Sequence, residues 1–197
     1  MGKWIAEVFL RVTGWETEGD APRASKVVLI AAPHTSNWDL AFLLALAVRY
    51  DLRPEWMGKH TLFRGPMGWV MRRLGGIPIR RHLRENVVEQ MTRVFAERES
   101  LCLTVPPEGT RGPAPYWKSG FYHIARGARV PLVLGYLDYA RKRGGFGPEF
   151  HPTGDLAADM DRIRAFYADK VGRRPECFGE VRLREEDEPE LLAAAGS

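Results

Sequence analysis

Lys26-Val27-Val28-Leu29-Ile30-Ala31-Ala32-Pro33-His34-Thr35-Ser36-Asn37-Trp38-Asp39 is the stretch on which the fold turns. Its first seven residues form a short apolar run with adjacent valines, the pattern of a buried β-strand. Leu40–Val48 is apolar on every side and too long for a typical strand, which predicts a buried helix. Ser36 or Asn37 is suited to cap it. His34 then falls on the loop at the carboxyl end of the strand, and Asp39 in the first helical turn. There the helix dipole and free backbone N–H groups favour an ionised carboxylate. Such a carboxylate beside an imidazole holds one tautomer and stabilises the imidazolium formed when the ring takes a proton. The same residues read equally well as a hydrogen-bonded loop histidine next to a helix cap, and the motif by itself does not separate the two.

Outward from this junction the elements alternate in kind. Glu55–Gly58 is a short strand candidate, followed by a helix over Leu62–Leu74 with Phe63, Met67, Val70, Met71 and Leu74 on one face. Gly75-Gly76 stops that helix, and Pro78 in Ile77-Pro78-Ile79 argues for an edge strand. Glu85–Glu99, Gly120–Ala128 and Asp155–Val171 read as helices, and Leu101–Val105 and Pro131–Leu137 as strands. The expectation is a single layered α/β domain with a mostly parallel sheet flanked by helices. It divides into residues 1–24, an N-terminal amphipathic helix and lead-in; residues 25–178, the body; and residues 179–197, an acidic, flexible tail. Ligands of such sheets gather outside the carboxyl ends of the strands. Both His34 and the loop after Leu101–Val105 are expected there.

Composition narrows the classes. At 197 residues, 45% hydrophobic and 27% charged, the chain can bury a proper core and is neither disordered nor fibrous. Cys102 and Cys177 are far apart, which suggests neither a disulfide framework nor a zinc site and points to a reducing cytosol. His60, His82, His123 and His151 lack metal-ligand spacing, so no metal is expected. No apolar stretch approaches a membrane span. Trp4, Ile5, Val8, Phe9 and Val12 make a helical stripe that packs on its own domain or lies on a membrane. The net charge of +4 becomes +9 once the tail acids Glu185, Glu186, Asp187, Glu188 and Glu190 are set aside. A body that basic favours anionic partners. No nucleic-acid-binding signature accompanies it.

The loop after Leu101–Val105 reads Pro106-Pro107-Glu108-Gly109-Thr110-Arg111-Gly112. Its prolines stiffen the strand exit, and Gly109 lets the backbone turn or approach a ligand. Glu108 and Arg111 present opposite charges, either as an internal pair that rigidifies the turn or with the arginine free for bidentate phosphate contact.

His34-x4-Asp39, joined to Pro107-Glu108-Gly109-Thr110-Arg111 further on, resembles the glycerolipid acyltransferase family, whose namesake is 1-acyl-sn-glycerol-3-phosphate acyltransferase. Gly75-Gly76-Ile77-Pro78-Ile79-Arg80-Arg81 resembles the family's second block, with Arg81 as its arginine, and Val130-Pro131-Leu132-Val133 resembles the fourth. Lys59 resembles a lysine often found between the first two blocks. Pro106 and Gly112 depart from the phenylalanine and serine that many members carry, and Arg80 stands where an acid is common.

The resemblance implies that His34 deprotonates an acceptor hydroxyl, which attacks the thioester of acyl-CoA or acyl carrier protein, with Asp39 orienting the ring. It implies that Lys59, Arg81 and Arg111 hold the phosphate of an anionic lysophospholipid, 1-acylglycerol-3-phosphate foremost, and that Glu108, Gly109 and Thr110 shape the acceptor side. No cofactor is implied beyond the acyl thioester as co-substrate. The sequence adds that no Gly-x-Ser-x-Gly elbow is present and that Cys102 falls within a strand, so no acyl-enzyme nucleophile suggests itself. Arg72, Arg73, Arg80, Arg81 and Arg84 beside an apolar helix face suggest peripheral contact with anionic membrane, at the inner face of the cell membrane. Acyl-thioester hydrolysis by the same pair, and acylation of a non-glycerol lyso-lipid, stay open as alternatives.

Overall fold

Successive side chains of the first core strand point to opposite layers. In the computed structural model, which describes residues 2–80 and 86–188, Val28 and Ile30 pack into one apolar cluster and Val27 and Leu29 into another. A strand covered on both faces must be apolar throughout, which is why Lys26–Ala31 reads as an unbroken run.

The sheet contains β1 (Glu16–Glu18), β2 (Lys26–Ala31), β3 (Pro54–Lys59), β4 (Gly76–Ile79), β5 (Leu101–Val105), β6 (Leu132–Asp138) and β7 (Arg143–Phe150). Their order is β1-β7-β6-β2-β5-β3-β4. Every neighbouring pair is parallel except β6 and β7. One face is covered by α4 (Val87–Glu97), α5 (Gly120–Ala128) and α6 (Leu156–Tyr167), whose Met91, Phe95, Phe121, Ile124, Met160 and Ile163 meet Val28 and Ile30. On the other side α1 (Lys3–Thr13) packs on α2 (Trp38–Arg49) through Ala6, Leu10, Phe42, Ala45 and Leu46. A 3-10 turn, His60–Phe63, leads into α3 (Gly65–Arg73). The single α/β layered domain with a mostly parallel sheet is the architecture expected from the sequence.

Four details differ from the expectation. Strands β1 and β7 were not legible. The start of β7 is Arg143-Gly144-Gly145, and a side chain on Gly145 would collide with the carbonyl of Glu18 in β1, so close backbone approach replaces apolar alternation. Helix α2 is not buried all round: Trp38 and Leu40 are 52% and 55% exposed. Of the five residues assigned to one face of the 62–74 helix, only Phe63 is buried, while Met67, Val70 and Leu74 are exposed. Residues 179–188, expected to open a loose tail, are packed: Val181 and Leu183 are buried and α7 (Arg184–Asp187) follows. Leu183 bridges Trp117 in a parallel backbone pairing, so apolar residues ahead of the acids anchor the segment. No helix among the described residues is long and apolar enough to cross a membrane.

Candidate active site

Strand β2 ends at Ala31, and the buried Ala32 and Pro33 carry the chain out to His34. The loop then turns directly into α2, with Asp39 in its first turn. Asp39 folds back under that loop. Its Oδ2 accepts from the backbone N–H groups of Thr35 and Ser36, each at 2.8 Å, and lies 3.3 Å from His34 Nδ1. Its Oδ1 accepts from the Tyr139 hydroxyl at 2.7 Å. The carboxylate that accepts from the loop backbone is thus the same one that faces the His34 ring. Asn37 makes no side-chain cap; Ser36 Oγ accepts from Trp38 N at 3.2 Å instead.

Asp39 is 3% exposed. Burial alone would raise its pKa, but hydrogen bonds from His34, Tyr139 and the Ser36 backbone outweigh it and hold the carboxyl below its ordinary value. The aspartate is therefore an anion. An anion facing Nδ1 keeps the proton on that nitrogen, which leaves Nε2 as the acceptor of the ring. The imidazole is 23% exposed, and its Nε2 has no hydrogen-bond partner among the described residues.

The loop after β5 meets His34 from the neighbouring strand. β2 and β5 pair in register from Lys26↔Leu101 to Ile30↔Val105, so both loops leave the sheet at one level. Glu108 is turned inward and is 4% exposed. Its Oε1 accepts from the backbone N–H of His34 at 2.8 Å, whereas Oε2 is buried without a partner among the described residues. Burial, the largest influence, pushes its pKa up against the lowering effect of the His34 backbone bond. Glu108 thus braces the His34 loop through its backbone.

Gly109 takes a left-handed φ of +66°, and a side chain there would collide with Lys118. The loop base is closed by Lys118 N donating to Pro107 O at 2.8 Å and Gly109 N to Pro106 O at 3.2 Å. Thr110 Oγ1 accepts from Gly112 N at 3.2 Å. Arg111 is exposed, with no ion pair among the described residues, so the internal Glu108–Arg111 pair is not formed.

Lys59 ends β3 beside Ile79 of β4 and is exposed, as is Arg80 after β4. Gln90 grips the Arg80 backbone at both its N–H and its carbonyl, at 3.0 and 2.9 Å. Arg81, with His82 and Arg84, lies outside the described residues. The structure therefore joins His34, Asp39 and Glu108 in direct contact and sets Thr110, Arg111 and Lys59 at adjacent strand ends. Cys102 lies within β5 and burial pushes its thiol up to about 11, the opposite of an activated nucleophile. Among the described residues no three His, Cys, Asp or Glu side chains converge as a metal site would.

Sequence reasoning missed Tyr139 and the segment that supports it. Tyr139 follows β6, the other neighbour of β2, and its backbone N–H donates to Val171 O at 2.8 Å. Its ring meets Trp15 and Phe42 edge-on, with centroids 4.9 and 5.8 Å apart. Beyond α6, Gly172 presses on Thr35 and Pro33. Arg174 donates from N to Thr35 Oγ1 at 3.2 Å and from Nε to Thr35 O at 2.8 Å. The signal for these contacts is the strand order, which no local pattern carries.

A family model described as Acyltransferase matches residues 14–134, more than half of the chain. The crystal structure of the 1-acyl-sn-glycerophosphate (LPA) acyltransferase PlsC from Thermotoga maritima matches with a TM-score of 0.55 at 15% sequence identity, covering 87% of this chain and 80% of that one. At that identity the likeness is one of fold. No curated protein matches the chain by sequence. Tyr139 and residues 171–174 lie beyond the segment that the family model matches.

Proposed function

The chain belongs to the acyltransferase family and is an acyltransferase enzyme, and from that premise we propose that it moves a fatty acyl group from acyl-CoA or acyl carrier protein onto a hydroxyl of an anionic lysophospholipid. The acceptor is 1-acylglycerol-3-phosphate, in keeping with the fold shared with PlsC. The observation that carries the chemistry is the His34–Asp39 pair, with Nδ1 toward a buried carboxylate and Nε2 without a partner among the described residues.

Nε2 takes the hydroxyl proton as the acceptor oxygen attacks the thioester carbonyl. The new C–O bond gives a tetrahedral intermediate, which collapses with loss of the C–S bond. The leaving thiolate recovers the proton from the imidazolium, so the products are ester and free thiol. Asp39 stabilises the imidazolium between these steps. Arg111 and Lys59, with Arg81, hold the acceptor phosphate, a task that guanidinium groups perform bidentately. Glu108, Gly109 and Thr110 shape the acceptor side, Glu108 through the His34 backbone.

The enzyme works at the inner membrane face as a peripheral protein. Trp4, Ile5, Val8 and Val12 on the outer side of α1 and Leu40 and Leu44 on α2 are exposed apolar residues, and the basic body attracts anionic lipid.

Acyl-CoA turnover against lysophosphatidic acid, other lysophospholipids, glycerol phosphate and amino-acid-derived lyso-lipids tests this reading. CoA release should depend on acceptor, be fastest with lysophosphatidic acid, and fall roughly 10²–10⁴-fold in His34→Ala. Free fatty acid released without acceptor would make the enzyme a thioester hydrolase. Acceptor-dependent turnover that survived His34→Ala would remove His34 as the base.

A further inference from the structure

Two arginines outside every sequence motif lie beside the His34 loop, one bonded to it and one over the start of α2. Arg174 is tied to Thr35 by its backbone N–H and by Nε, and no partner engages its terminal nitrogens among the described residues. The Arg173 guanidinium lies 5.5 Å from the centre of the Trp38 ring and 5.9 Å from that of Tyr139. Neither arginine has a carboxylate partner among the described residues. The nearby Lys170 and Arg141, by contrast, both pair with Asp169, at 2.6 and 3.2 Å. Both arginines are exposed. The aromatic faces pre-orient Arg173, and Gly172 lets the segment press against Thr35.

Strand order gives this pair its meaning. His34 follows β2, Arg111 and Arg80 follow β5 and β4, and Lys59 ends β3, the last three all on one flank. Tyr139 follows β6 on the opposite flank and carries Arg173 against it. Acyl transfer brings two substrates to one imidazole. With the acceptor phosphate on the Arg111 flank, the other flank is left for the donor. That donor, on CoA or on a carrier protein, hangs its thioester from a phosphopantetheine arm that contains a phosphate. We propose that Arg173 and Arg174 bind that phosphate and so orient the thioester toward His34. This assignment rests on the acyl-transfer reading above.

Calorimetric titration with free CoA tests the site without turnover, and Arg173 is the residue to change because Arg174 also braces Thr35. In Arg173→Ala, CoA binding should weaken roughly tenfold or more, the value of one charge-assisted contact. Arg173→Lys should recover part of it. In steady-state assays the KM for acyl-CoA and for acyl carrier protein should rise together, with the KM for lysophosphatidic acid unchanged. Unaltered CoA binding, or a rise confined to the acceptor KM, would overturn the proposal. An effect seen with acyl-CoA but absent with acyl carrier protein would overturn the shared arm and assign the site to the nucleotide phosphates of CoA. A wild-type protein that binds CoA through Arg173 yet transfers no acyl group would defeat the function while leaving this site standing.

Discussion

Tyr139→Phe removes a single oxygen atom and with it the donor to Asp39 Oδ1 at 2.7 Å. The ring stays packed on Trp15 and Phe42, so the change isolates the hydrogen bond. Asp39 is 3% exposed, and water cannot readily replace the lost donor. A hydrogen bond to a charged group is worth about 1.5–3 kcal/mol, and that is the loss expected at neutral pH. The sign of the pH dependence follows from Asp39. Its folded pKa is depressed, so the stability it contributes is present above the unfolded value of 3.8 and is lost as pH falls through the folded value. Tyr139 itself is pushed upward, by burial and by Asp39, and remains a donor throughout that range. The gap between wild type and variant should therefore shrink from about 1.5–3 kcal/mol near pH 7 to about 1 kcal/mol, the value of a neutral bond, once Asp39 protonates in acid. Urea denaturation of both proteins from neutral to acid pH measures it. Activity gives a second readout: kcat should drop about tenfold with both KM values nearly unchanged, as expected for loss of orientation. A stability gap that stays constant with pH, or one below about 0.5 kcal/mol at neutral pH, would refute the reasoning.

Glu108→Gln keeps an oxygen for the His34 N–H but removes the buried carboxyl whose pKa is raised. Wild type should lose stability as pH rises through the folded pKa of Glu108, because its unfolded chain ionises first. The glutamine variant should match wild type in acid and exceed it at neutral pH by thermal denaturation, while Glu108→Ala should cost about 1–3 kcal/mol throughout. A glutamine variant that tracked the wild-type pH profile would show that this carboxyl is not what titrates. Gly172→Ala would bring a Cβ to 2.8 Å from Thr35 Oγ1 and 3.1 Å from Pro33 Cβ. Overpacking of that kind costs about 1–3 kcal/mol and should lower kcat, measurable against an unchanged Tyr139 region in the same assays. Full activity would show that the loop does not depend on this contact.

The functional unit of the sequence was local, and local patterns carried it far. The unbroken apolar run of β2 announced a strand buried on both faces, and the helix after it placed Asp39 in a first turn. Apolar spacing in α6 identified Leu156, Met160, Ile163 and Tyr167 as its core face, and all are buried. Helix α2 reads as fully buried yet is not, because hydrophobicity alone does not say which side has a partner. Its Phe42, Ala45 and Leu46 meet α1, whereas Trp38, Leu40 and Leu44 face outward.

By itself, then, the sequence determined the alternating architecture, the places of His34 and Asp39 at one strand-to-helix junction and the loop with Glu108 and Arg111, because each depends on residues a few positions apart. Only the tertiary structure decided what supports that pair. The β6-β2-β5 order sets Tyr139 and Glu108 on either side of the His34 loop, from 100 and 74 residues away along the chain. It also turned Glu108 inward to the His34 backbone and left Arg111 exposed, where charge pattern allowed the two to pair. The reason is physical: a carboxylate binds whichever donors the folded backbone brings within about 3 Å, and strand order, not sequence distance, selects them.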